Sequence, residues 1–552
     1  MRAMTMKNSI LKTCLLLVAV ALTSVAPTAR AAAPGITGGA GAAATFNLTA
    51  QPAYLTQPDG QAVYSWGYGC SAQPAGWAPS AITPPKTGCP TMQVPGPTLV
   101  VTEGQTVTVV LTNGLPAAAG NTSILFPGFN VTTTDGAIGL LTHEAVPGGT
   151  VTYTFTAKSP GTRAYYSGSQ GDLQVEMGLY GAIIVLPSTA NVPTACVGTQ
   201  NDAARGAYLT KIKAPATESD FRLAPAAYDN SLTCYDREYL FQFSEMDPRI
   251  HTEAESQVSA CSATNAPVPC TLQVPTEPYH PAYFMINGRS MPDDMDPNYA
   301  VQYPHQPYNG NPHMHPGEMV LLRIIGQGRW QHPFHEHANH VRILARDGNL
   351  IVNPNGHLAG PALFTTTTTP GLAMDGIFYY TGRGLNWDMY AHTPNSADPN
   401  GALPCSPDAN GYYTSDPAAL NYYEWCQDHN KPLETAPSGD VAGNGPATLP
   451  NPNILTNGAW YGGSPYLGPN ATTRATGCAT SGTPQSNAPN CSSTGTTPPS
   501  GTIANSPGGE AGFAFMWHSH NEREITTNNI FPGGMMMMML VDSREFLIDE
   551  SN

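Results

Sequence analysis

The stretch Gly104-Gln105-Thr106-Val107-Thr108-Val109-Val110-Leu111-Thr112-Asn113 alternates apolar and polar residues and runs into an Asn113-Gly114 turn signal. Alternation at period two gives a strand one face for a core and one for water. Upstream stands a second apolar run, Val94-Pro95-Gly96-Pro97-Thr98-Leu99-Val100-Val101; downstream come Val151 to Phe155 and Gly181 to Leu186. Short strands at this spacing, parted by turn residues, read as a Greek-key β-sandwich over about residues 45 to 188.

A second block repeats the grammar. It opens at Tyr239 to Phe243, continues through Tyr283 to Gly288, and reaches Gly317-Glu318 before the apolar run Met319 to Ile325, much as Glu103-Gly104 precedes the first strand. Two copies of one fold are therefore expected. The division is a signal peptide at 1–31, a first sandwich at 32–190, a linker at 191–234 and a second sandwich at 235–391 and 507–552. Between these last two parts, residues 392–506 are rich in Pro, Asn, Gly and Ser and read as an irregular, disulfide-pinned insertion.

Composition agrees with an all-β chain: of 552 residues only 11% are charged, while Gly (55) and Pro (53) abound. Amphipathic helical periodicity is scarce. The net charge of -16, with no Lys/Arg cluster, excludes nucleic acid and anionic membrane surfaces as natural partners and favours cations. Arg2, Lys7 and Lys12, the apolar run Leu15 to Leu22 and Ala29-Arg30-Ala31 form an export signal, so a secreted (periplasmic or extracellular) product is expected. That run is too short to span a bilayer. Ten cysteines remain beyond Cys14, and sequence order suggests the pairs Cys70/Cys89, Cys196/Cys234, Cys261/Cys270, Cys405/Cys426 and Cys478/Cys491.

Two histidine pairs carry the chemistry. His335 and His337 lie two apart in His332-Pro333-Phe334-His335-Glu336-His337-Ala338-Asn339-His340, and His518 and His520 flank Ser519. On strands, residues two apart share a face, so each pair offers two nitrogens to one ion. Four imidazoles suit copper or another divalent metal. Against this stands the plainer reading of core histidines satisfied by backbone. His332 and His340 are secondary ligand candidates, and Glu336, Glu522 and Glu524 are candidates to hold the outer ring nitrogens. These acids also leave manganese open as the ion. Met535 to Met539 reads first as core filling and only second as a soft copper patch. His313-Met314-His315 could add donors. No cysteine lies beside either pair.

Several of these stretches, in this order, resemble the multicopper oxidases, the laccase-like family built of cupredoxin sandwiches. They are Val94-Pro95-Gly96-Pro97 with the strand after it, Gly178 to Ala182, Tyr283 to Gly288, His332 to His340 and His518 to Met535. The resemblance implies tandem cupredoxin-like domains, copper, and oxidation of a small molecule or metal ion. It also implies roles: His332 for a blue copper, and His335, His337, His518 and His520 for a cluster. The sequence departs from that pattern where the blue-copper cysteine should stand, at Ser519, and where a further histidine should stand, at Glu524. Where the two first-domain histidine pairs belong, the sequence reads Ile124-Leu125-Phe126-Pro127-Gly128 and Tyr166-Ser167-Gly168-Ser169. Serine has neither the charge nor the softness of thiolate, so no blue copper is expected. The expected product is a copper-binding protein with one reduced mono- or dinuclear centre; a metal carrier or scaffold without catalysis is the alternative. An oligomer whose subunits share sites stays open.

Overall fold

The computed structural model describes residues 33–196, 219–315, 318–380, 463–466, 479–480, 483–484, 512–542 and 548. The expected export signal and nearly all of 392–506 lie outside them, as do Cys405, Cys426, Cys478 and Cys491.

In the first half the strands labelled here are β1 (Ala43–Thr56), β2 (Ala62–Cys70), β3 (Leu99–Thr102), β4 (Thr106–Asn113), β5 (Thr150–Thr156), β6 (Gly161–Tyr166) and β7 (Tyr180–Leu186). One sheet runs β2-β1-β4-β5 and ends on Thr132–Asp135; the other runs β6-β7-β3 and continues through Gly35–Thr37 and Gly76–Ala78. The alternation of β4 is realised: Val107, Val109 and Leu111 are fully buried beside Leu48, Trp66 and Tyr153. Asn113 is buried too. Its amide donates to the carbonyls of Gly120 and Ala145, and its Oδ1 accepts from Leu115 N, so this side chain closes the turn that the sequence announced.

The second half supplies β8 (Arg237–Met246), β9 (Tyr283–Ile286), β10 (Met319–Gly326), β11 (His332–Glu336), β12 (Val341–Arg346), β13 (Thr365–Thr368), β14 (Ala373–Tyr379), β15 (Gly512–Ser519) and β16 (Met536–Asp542). One sheet is ordered β9-β8-β10-β14-β12, the other β16-β15-β11-β13 with His313–Met314 beyond β16. The two halves share a pairing rule. In each, an early strand lies parallel to the alternating strand, which is antiparallel to a third: β1, β4 and β5, then β8, β10 and β14. Parallel neighbours so far apart in sequence require crossovers, as a Greek key supplies. The fold is therefore all-β, with cupredoxin-like sandwiches in tandem.

Phe241, Phe243, Phe334, Phe378 and Trp517 fill the space between the second pair of sheets. Met535, Met537 and Met539 belong to that same core, whereas Met536 lies beside His518 on the other face of the sheet. Three of the expected disulfides form: Cys70–Cys89, Cys196–Cys234 and Cys261–Cys270. One helix escaped the reading of periodicity, α1 (Pro248–Cys261). Its signal was present in Asp247-Pro248, since Asp247 caps it by accepting from Arg249 N and Pro sits in the first turn. Ile250 and Ala254 of α1 pack into the core of the first sandwich. Buried polar bonds also join the halves, among them Thr162 Oγ1 to Asp375 Oδ1 at 2.6 Å and Tyr180 OH to Ser244 Oγ at 2.8 Å.

Candidate metal centre

Strands β11 and β15 run antiparallel, with His335 opposite His518, Phe334 opposite Ser519 and Glu336 opposite Trp517. Opposed residues share a face, so the two strands sort their side chains into two sets. The core side takes Phe334 and Trp517. The other side takes His335 and His518, and His337 and His520 extend it just past the strand ends. Ring centroids lie 4.8 Å apart for His335–His337, 5.1 Å for His335–His520, 5.2 Å for His337–His518, 5.5 Å for His518–His520 and 5.6 Å for His335–His518. Nε2 of His518 is 3.2 Å from Nε2 of His337.

These distances have a chemical meaning. Four imidazoles around one ion at the usual ~2 Å nitrogen distance place their ring centroids roughly 5 Å apart. The rings are gathered on that scale. Among the described residues, however, no three His, Cys, Asp or Glu groups stand preset to hold an ion, so loading the site would require the rings to turn. Burial holds His335 well below the ordinary histidine range, at about 4, and the neighbouring His518 and His520 push the same way. Burial also lowers His518. Rings kept neutral keep a lone pair for a metal.

The outer nitrogens of His335 and His518 are held by groups other than the expected acids. His518 Nδ1 donates to its neighbour's carbonyl, Ser519 O, at 2.7 Å. His335 Nδ1 meets Thr365 Oγ1 at 3.0 Å, and Trp517 Nε1 donates to His337 O at 3.0 Å. Thr365, at the head of the run Thr365 to Thr369, was not singled out from sequence; a hydroxyl across a strand leaves no local signal. Glu336 instead points into the core, accepts from Thr366 Oγ1, and is pushed up to about 8 by burial. Glu522 stands 3.9 Å from His520 at the surface. Glu524 serves His332.

His340 lies to one side, its ring 5.2 Å from that of Phe364, which also packs 5.8 Å from His335. His313 Nδ1 pairs with Asp542 Oδ2 at 2.6 Å, and His315 Nδ1 donates to Asp542 O at 3.1 Å.

His332 is fully buried on the core side of β11. Its Nδ1 lies 2.9 Å from Glu524 Oε2 and its Nε2 2.9 Å from Glu245 Oε2. Ser519 Oγ donates to the same Glu524 oxygen. This is where the resemblance would put blue copper, and the donor set does not fit one: no thiolate is present, and both ring nitrogens are engaged. The first sandwich fits no copper either. Ser169 Oγ bonds Glu144 Oε1 at 2.7 Å and meets Ser123 Oγ at 2.9 Å, and Ser167 Oγ donates to Gln174 Oε1 at 2.7 Å. The four outer histidines, in contrast, are a donor set that suits copper.

Residues 83–190 match the multicopper oxidase family. Over that stretch the chain is similar to multicopper oxidases. Over 96 residues it is 40% identical to an L-ascorbate oxidase of Brassica rapa subsp. pekinensis, a match covering 17% of this chain and 16% of that protein. Over 98 residues it is 35% identical to laccase abr2 of Aspergillus fumigatus, again 17% of this chain and 16% of the relative. The matches thus span about a sixth of these curated relatives. Among solved structures, a blue copper oxidase from Nitrosomonas europaea aligns at 14% identity and a TM-score of 0.40, covering 90% of this chain and 85% of that one. The matched multicopper oxidase stretch contains a single histidine, His143, which donates from Nδ1 to Asp135 O. Family likeness is thus clearest in the half of the chain that lacks the candidate ligands. No described helix is long and apolar enough to cross a membrane.

Proposed function

We propose that this is a secreted copper-binding protein of the multicopper oxidase type, with one reduced centre formed by His335, His337, His518 and His520. The domain division we propose is the one read from sequence, 32–190 and 235–391 with 507–552. The gathering of four rings at centroid separations of 4.8 to 5.6 Å, with His335, His337 and His518 buried, carries the proposal. Three disulfides support an oxidising compartment. Relatives named as an ascorbate oxidase and a laccase support small-molecule oxidation as the reaction class.

Copper, when bound, supplies one-electron redox chemistry. The chain supplies the rest. Ser519 O fixes the tautomer of His518 by accepting from Nδ1, which leaves Nε2 for the ion. Thr365 orients His335 from the neighbouring strand. His520, with 53% of its side chain exposed, keeps one side of the site open to an incoming ligand.

A second reading, copper carriage without turnover, has one observation in its favour. The inner position at which electrons would enter in the resembling family is filled by His332 and its two carboxylates. Metal analysis of the purified protein together with an oxidase assay on phenols and ascorbate separates the two. Bound copper with turnover supports an oxidase; bound copper without turnover supports a carrier. No copper bound, under either assay, would sink both.

A further inference from the structure

We propose that the ring of His332, donating from both nitrogens to Glu245 and Glu524, stands in the place of a metal ion on the inner face of β11 and β15. It forms a metal-free lock between the strands that carry the four outer histidines.

A neutral imidazole has one donor and one acceptor nitrogen. Here both nitrogens face carboxylate oxygens at 2.9 Å, and with both carboxylates ionised a ring with two N–H groups is what satisfies them. Such a ring is a cation. It also has no lone pair left, so it cannot ligate a metal while these bonds last.

The carboxylates are equally committed. Glu245 Oε1 accepts from Arg329 N at 2.6 Å and Trp330 N at 2.9 Å, while Oε2 accepts from His332. Glu524 Oε1 accepts from Asn521 Nδ2 at 2.9 Å, and Oε2 takes both His332 and the Ser519 hydroxyl. His332 and Glu524 have no solvent-exposed surface and Glu245 has 2%. Charged groups so deep persist only with their hydrogen bonds made, and here each carboxylate oxygen accepts at least one; one cation between two carboxylates still leaves one negative charge in excess.

Position gives the cluster its role. His332 opens β11, the strand that leads to His335 and His337. Ser519 sits between His518 and His520, and Glu524 follows on the loop after β15. Glu245 reaches in from β8 in the facing sheet. One ring therefore ties together three elements behind the outer histidines, as a bound ion would. The lock stands whether or not the outer site takes copper.

Titrating copper(II) into the full chain, with metal analysis and visible spectra, tests this. Wild type and His332→Gln should bind the same number of ions, neither with an intense visible band. Ser519→Cys combined with Glu524→His should bind one ion more and show intense thiolate-to-copper absorption, with Glu245 remaining as the carboxylate behind the ligating imidazole. Loss of one equivalent in His332→Gln would show that the inner site already holds metal, and would overturn the proposal. So would a double variant that gains neither ion nor colour. Should His332→Gln fail to fold, Glu524→Gln replaces it, again with uptake expected to equal that of wild type and a lost equivalent counting against the lock.

Discussion

His335 and His518 are register partners across β11 and β15, and their rings meet edge to face with centroids 5.6 Å apart. Neither residue could be displaced without moving a strand of the core, because Phe334 and Trp517 beside them are both fully buried. His335 and His518 are thus fixed by the sheet, while His337 and His520 stand one residue beyond its strand ends.

That rigidity gives the first expected outcome. His337→Ala and His518→Ala should each weaken copper binding by about a hundredfold or more, since each removes a nitrogen directly. His340→Ala, whose ring packs on Phe364, should leave affinity within about threefold of wild type. Isothermal titration with copper(II) reads both, and comparable losses in all three would move the centre elsewhere.

The copper-loaded protein should be nearly colourless in the visible. Intense blue absorption needs a thiolate ligand, and the inner position holds Ser519. A strong band in pure wild-type protein would require a cysteine that the described residues do not place there.

Stability of the metal-free protein should fall as pH rises from neutral into the alkaline range. Burial alone would lower His332, but its hydrogen bonds to Glu245 and Glu524 and their charges outweigh burial and raise it to about 9. A raised pKa contributes stability in full below the unfolded value near 6.5, and that contribution is lost as pH climbs through 9. The shift corresponds to about 3 kcal/mol. Denaturant midpoints of wild type against His332→Gln at pH 6, 7.5 and 9.5 should converge toward the alkaline end; a constant gap would refute the linkage.

Asn113→Ala should cost about 2–4 kcal/mol, because it strips a buried side chain of three backbone partners and opens the turn after β4. Thr112→Ala beside it, only partly buried, should change stability by less than about 0.5 kcal/mol. Urea unfolding of the two variants gives the comparison, and equal losses would show that the turn does not depend on Asn113.

Much of this protein is decided by short-range pattern. The period of two in Gly104 to Asn113 makes a one-sided strand wherever that segment lies, and the spacing of two in His335/His337 puts both rings on one face by geometry alone. The same rule, applied to a spacing of three, turns His332 to the opposite face from His335. Three disulfides agree with sequence order. Glu336 could have been assigned to the core by the same count, since it lies two residues from Phe334. Helix α1 was announced only by its cap, its narrow buried stripe of Ile250, His251 and Ala254 giving little periodic signal.

Partnership across the chain was decided by the tertiary structure. Glu245 is 87 residues from His332 and Glu524 is 192, and no local pattern links either acid to that ring. Thr365 reaches His335 only because β13 is the neighbour of β11. Strand alternation is set by the covalent backbone and is therefore written in the sequence. Which strands become neighbours, and so which buried charges must neutralise one another, depends on sheet order and on the core that Phe334, Phe243 and Trp517 close behind them.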